Sequence, residues 1–285
     1  MAVADLLRRA LAGAEPRSLV EAFAFANLAF LGLDIASAHA ANAFAEPAEW
    51  VPVVFSAVAP VALVAAWLLE RRAGFERASL RLGLAIGWLS VAVGIAGMVL
   101  HLRGEFFVET TLRNLVYTAP FVAPLSYAGV GLLLILGRSR VADEKEWAQW
   151  VILLALAGFV GNFGLSLADH AQNGFFYWPE WIPVISSAFA IGILVPPLAM
   201  EVNRDSLWLC SAVMVGQVGI GLLGLGYHTL ANLAGPSASW VDNFLYGAPV
   251  FAPLLFADLA MLGLIGLWGL ARSSSPIPSA SLAPR

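Results

Sequence analysis

His39 to Ala57 reads HAANAFAEPAEWVPVVFSA, and His170 to Ala188 reads HAQNGFFYWPEWIPVISSA. At a shift of 131, ten of the nineteen positions are identical, among them His39/His170, Asn42/Asn173, Glu49/Glu180, Trp50/Trp181 and Pro52/Pro183. A second block, Asn114 to Leu125 (NLVYTAPFVAPL), matches Asn243 to Leu254 (NFLYGAPVFAPL) at seven of twelve positions. Between the blocks His101 falls opposite His228, so all four histidines of the chain occur as two duplicate pairs. A unit of about 130 residues is written twice.

The medium for that unit follows from composition. The hydrophobic share is 60 %, the charged share 12 % and the mean hydropathy +0.81. A soluble domain carries about 25 % charged residues. Spans of about 20 apolar residues are expected at roughly 20–42, 51–70, 82–102, 115–137, 147–171, 182–201, 207–231 and 245–271. Ser18 to Glu21 has the spacing of a capping box at the first of them. No cleavable signal is read at the N-terminus.

The expected fold is an all-α integral membrane protein with eight spans, arranged as two tandem four-helix repeats. An even number of spans per repeat gives both repeats one orientation, related by a pseudo-twofold along the membrane normal. The divisions are a cytoplasmic segment over 1–17, repeats over 18–140 and 141–272, and a disordered cytoplasmic tail over 273–285.

Thirteen basic residues lie on one side of these spans, including Arg8, Arg9, Arg71, Arg72, Arg138, Arg140, Lys145, Arg204 and Arg285; only Arg103 and Arg113 lie on the other. The positive-inside rule then puts both termini in the cytoplasm, with a bacterial inner membrane as the expected location. The opposite loops carry Glu46, Glu49, Glu105, Glu109, Glu180 and Asp242, an acidic outer face.

Spans 1, 3, 5 and 7 run outward, and each carries one histidine near its outer end. Asn42 follows His39 by three residues and Asn173 follows His170 by three; Glu105 and Asn232 follow His101 and His228 by four. On a continuous helix such spacings share one face. Imidazole is the commonest metal ligand, and a ligating histidine needs a partner for its other nitrogen.

The expected site is therefore a transition metal, copper, iron or zinc, held by His39, His101, His170 and His228. Asn42, Asn173, Glu49, Glu180, Glu105, Asn232 and Asp169 are second-shell groups or extra ligands. The ordinary alternative is four interfacial histidines bonded to loops. Glu49 and Glu180 also read as helix-start carboxylates, and Trp50, Trp178, Trp181, Tyr177 and Trp240 as an aromatic belt.

Other features sharpen the picture. Tyr117-x-Ala-Pro120-x-x-Ala-Pro124 recurs at Tyr246 to Pro253 and predicts a fixed kink in spans 4 and 8. Gly94 and Gly97 match Gly221 and Gly224 as close-packing positions. Asp34 and Asp258 are charges within spans, expected to face the bundle interior. The single cysteine, Cys210, excludes an internal disulfide and reads as a packed apolar residue.

No Walker loop, dinucleotide fingerprint or basic soluble face is present, so nucleotide and nucleic-acid partners are not expected. The expected partners are the lipid bilayer and other membrane subunits. A redox enzyme, a single-haem protein with histidine axial ligands, a small-solute or ion transporter and a non-catalytic subunit remain as functional alternatives.

Overall fold

A computed structural model describes residues 15–139 and 143–273. The N-terminal segment up to residue 14, with Arg8 and Arg9, the link with Arg140, and the tail from residue 274 with Arg285 lie outside the described residues. Among the described residues the chain is all-helical, without strands.

The helices are α1 (Pro16–Ala40), α2 (Trp50–Glu70), α3 (Glu76–Gly104), α4 (Leu112–Tyr117), α5 (Leu125–Arg138), α6 (Glu144–Gln172), α7 (Trp181–Leu194), α8 (Pro196–Ala199), α9 (Arg204–Leu233), α10 (Trp240–Tyr246) and α11 (Leu254–Ser273). Short 3-10 turns, Pro47–Glu49 and Trp178–Glu180, lead into α2 and α7. Among the described residues seven helical stretches are long and apolar enough to cross a membrane, and α5 is a shorter apolar helix. By length and composition this is a polytopic membrane protein. Large apolar side chains such as Val54, Val58, Val61, Trp88, Ile185, Phe189 and Leu222 face outward. In water such faces would drive association; they suit lipid.

Two details correct the sequence reading. The first helix starts at Pro16 with Glu15 as N-cap, and no side chain caps it. The capping box is not formed, because Glu21 pairs with Arg138 of α5 at 3.1 Å. The fourth stretch is also not one continuous helix. It breaks into α4 and α5, and the eighth is interrupted between α10 and α11, of which α11 alone is long enough to cross. Pro120, Pro124, Pro249 and Pro253 have no N–H to continue a ladder, and each disfavours helix at the residue before it. Two such residues four apart end the helix rather than kink it.

The packing follows one order in both halves of the chain. In the first half α1 packs on α2, α2 on α3, α3 on α5, and α5 back on α1. In the second α6 packs on α7, α7 on α9, α9 on α11, and α11 back on α6. Across the halves α1 meets α10 and α11, while α6 meets α4 and α5.

The glycines do what close packing requires. A Cβ on Gly94 would meet the Ala128 backbone nitrogen at 2.6 Å, and one on Gly97 would meet Pro124 Cβ at 2.8 Å. Gly221 and Gly224 approach Ala257 and Pro253 in the same way. The missing side chains let α3 and α9 lie directly on the restart of the broken helix. Cys210 is buried, as expected of a packed apolar residue.

Candidate functional site: paired histidine and glutamate clusters

All four histidines sit toward one end of the bundle, the end that carries the breaks. The helices that bear them end in two ways, and those endings build the site.

After His39, α1 stops at Ala40. Ala43 and Phe44 then turn left-handed at φ 58° and 53°. The Phe44 N–H donates to the His39 carbonyl at 3.1 Å. The turn lays the Phe44 ring on Trp50 at 4.1 Å, stacked, and 6.2 Å from the His39 ring. The second half repeats this: Gly174 and Phe175 are left-handed, the Phe175 N–H donates to the His170 carbonyl at 3.1 Å, and Phe175 stacks on Trp181 at 4.0 Å. The turn also aims the next carboxylate back at the histidine. His39 Nδ1 stands 3.7 Å from Glu49 Oε2, with both side chains mostly buried.

Asn42 therefore does not share a helical face with His39. It lies beyond the helix end, and its Nδ2 donates to Glu49 Oε1 at 2.9 Å. That bond fixes the carboxylate and leaves Oε2 buried without a hydrogen-bond partner. Glu180 Oε2 is buried and unpartnered in the same manner. Asn173 is the C-cap residue of α6.

His101 and His228 are held by the breaks. His101 Nδ1 lies 3.0 Å from the Pro120 carbonyl, and His228 Nδ1 lies 2.8 Å from the Pro249 carbonyl. A carbonyl only accepts, so each Nδ1 donates its proton there, and Nε2 is the ring nitrogen left outside that bond. The sequence motif thus supplies the hydrogen-bond acceptor that a ligating histidine needs for its other nitrogen. The halves anchor this differently. Thr118 Oγ1 donates to the His101 carbonyl at 2.7 Å. Asn232, which is 2 % exposed, donates to the Ala248 carbonyl and accepts from the Ala248 N–H, both at 2.8 Å. Asn232 therefore pins the break, while its counterpart Glu105 is exposed and bonds through its backbone. Asp169 lines a small crevice between α6 and the segment 115–122.

His39 and His101 approach each other at 6.2 Å between ring centres, edge to face. His170 lies within electrostatic reach of both Glu180 and His228. The first half brings His39, His101 and Glu49 together; in the second, Glu180 and His228 act on His170 electrostatically, without a contact as close as that of His39 with Glu49. The four histidines are not drawn into one preformed centre: among the described residues no group of three or more His, Cys, Asp or Glu side chains stands ready to hold a metal ion. The reason is local. Each histidine is tied to a turn or a proline segment of its own half.

Deeper in the bundle are polar residues that the sequence reading passed over. In the first half Ser56 Oγ and the Tyr127 hydroxyl lie 2.6 Å apart, Tyr127 donates to the Pro52 carbonyl at 3.1 Å, and Ser90 donates to the Tyr127 carbonyl at 2.7 Å. In the second half Asn162, Ser187 and Gln217 are buried. Asp258 accepts from Asn27 at 2.8 Å, joining α11 to α1. Uncharged polar residues inside an apolar run were the available signal.

Compared with known proteins, this chain matches no family, no curated protein and no solved structure.

Proposed function

We propose that this integral membrane protein binds transition metal, copper, iron or zinc, at two equivalent sites on its outer face. The first is His39, His101 and Glu49; the second is His170, His228 and Glu180. The proposed frame is two tandem four-helix repeats, 18–140 and 141–272, with eight crossings and both termini in the cytoplasm of a bacterial inner membrane. The matching order of helix contacts supports the repeat. The thirteen-to-two distribution of basic residues supports the orientation. The break and α5 together provide the fourth crossing.

The observation that carries the reading is His39 beside the orphaned oxygen of Glu49. Ligand atoms each about 2.0–2.2 Å from one ion can stand up to about 4 Å apart. The 3.7 Å separation falls within that limit. A ligating imidazole has its centre about 3 Å from the metal, so two rings on one ion are at most about 6 Å apart. The His39 and His101 rings, 6.2 Å apart, lie just beyond that limit, so binding an ion draws them together. Two nitrogens and one carboxylate leave positions open, as a redox or Lewis-acid centre requires.

Elemental analysis of protein purified in mild detergent tests this. The account expects bound copper, iron or zinc, lost in the H101A/H228A double variant while the protein remains folded. Equal metal in that variant, or none after metal-replete expression, contradicts it. A Soret band would instead select the haem alternative.

The two broken helices favour a second reading, a transporter of ions or small solutes, since such folds bind at discontinuous helices. Metal flux into reconstituted vesicles separates it from a static site.

A further inference from the structure

Three side chains in the second half share an unmet need. Asn162 (3 % exposed), Ser187 (0 %) and Gln217 (3 %) belong to α6, α7 and α9. Asn162 Nδ2, Ser187 Oγ and Gln217 Oε1 are buried with no hydrogen-bond partner in the protein. In a bilayer an unmet buried polar group costs several kcal/mol.

The three lie on neighbouring helices, α6 packing on α7 and α7 on α9, and the first-half residues that match Ser187 and Gln217, namely Ser56 and Ser90, both bond Tyr127, which defines a shared polar layer. Phe159, Ala190 and Met214 belong to a single buried cluster. Asn162, Ser187 and Gln217 each lie one helical turn from one of these, in every case toward the histidine end. Gln217 Nε2 donates to the Ser186 carbonyl at 3.0 Å, which ties α9 to α7 at this level.

The first half solves the same layer with protein atoms. Ser56 stands where Ser187 does and is bonded by the Tyr127 hydroxyl. The residue matching Tyr127 is Phe256, buried and without a hydroxyl. The second half lacks the hydroxyl partner that would satisfy Ser187, and it has two amides where the first has Leu31 and Ser90.

We propose that this layer holds bound water, one molecule or a small cluster, bridging Asn162, Ser187 and Gln217. The unmet groups are one donor, one acceptor and one hydroxyl. A molecule that both donates and accepts answers all three, and an internal water takes two to four such partners. The inference stands whether or not metal binds above it. It makes the second half the hydrated half and the first half the dry one.

The test is a structure of the full chain at a resolution that shows ordered water, paired with radiolytic hydroxyl labelling. The expected result is water bonded to Ser187 Oγ and Gln217 Oε1, with none beside Tyr127. Phe256→Tyr places a hydroxyl against Ser187; it should displace water and lower the labelling of Met214 several-fold. Should F256Y fail to fold, S187A/Q217L removes two of the partners and should lose the water as well. An empty layer with Met214 labelling unchanged by either variant overturns the proposal. Density too large for water overturns the assignment of the ligand.

Discussion

The two halves carry matching histidines and glutamates, drawn closest at His39 and Glu49 of the first, above different interiors. Beneath His39 and His101 the first half is closed by a bonded set, Ser56, Tyr127 and Ser90. Beneath His170 and His228 the second half has three buried polar atoms without protein partners. The breaks differ too. Thr118 braces the first from its N-terminal side, while a fully buried Asn232 clamps the second with two hydrogen bonds. What stayed the same is the surface of the cluster: the histidine, the carboxylate, the left-handed turn and the proline carbonyl. What diverged is the support. Two stretches that match in one layer and differ in the next mark the matching layer as the candidate for function.

The largest expected contrast lies at the clamps. Asn232→Ala strips both bonds from Ala248 and leaves its N–H and C=O unmet in a buried place. A loss of about 2–3 kcal/mol is expected, read as a fall in thermal midpoint in detergent. Glu105→Ala, at the matching exposed position, should change the midpoint little. Equal losses at the two positions would erase the distinction drawn between the breaks.

Next come the glycines. Gly94→Ala pushes a methyl group within 2.6 Å of the Ala128 backbone, whereas Gly221→Ala meets its nearest backbone atoms at 3.0 Å. Overpacking against backbone costs about 1–3 kcal/mol. Gly94→Ala should sit near the top of that range and Gly221→Ala near the bottom, by the same unfolding measurement. The reverse order would show that the first pair of helices separates more easily than its contacts indicate.

A smaller effect is expected at the aromatic pair. Tyr127→Phe removes the bonds to Ser56 and the Pro52 carbonyl, for a loss of about 1–2 kcal/mol. It also recreates in the first half the unmet serine of the second. A variant as stable as the parent would mean that this interior is not held by its hydroxyl.

The smallest is at the turn. Ala43 is left-handed where the second copy has Gly174. Ala43→Gly should stabilise the protein by about 1 kcal/mol, and Gly174→Ala should cost at least as much. Destabilisation by A43G would place the strain elsewhere in the turn.

Much of this architecture could be read from residues alone. Apolar length gave the helices that carry His39, His101, His170 and His228. The paired glycines Gly94/Gly221 predicted close packing and were found against the broken helices. The breaks themselves were not legible as breaks. Pro120 and Pro124 permit either a kink or an interruption, and the outcome depends on whether neighbours satisfy the freed carbonyls. His101 does so for Pro120, from 19 residues away in the chain. The Asn42 reading failed for a related reason: i,i+3 spacing holds only while the helix lasts, and α1 ends at Ala40. Asn162, Ser187 and Gln217 were passed over because no local spacing links them. They lie on three separate helices that meet only in the packed fold.

The central claim is two separate sites built from the same trio. Titration of metal-free protein with cobalt(II), followed by its visible absorption, tests it most directly. The account predicts two ions per chain, one in H39A, one in H170A and none in the double variant. A single ion per chain that is lost in either single variant would contradict it and return all four histidines to one shared centre.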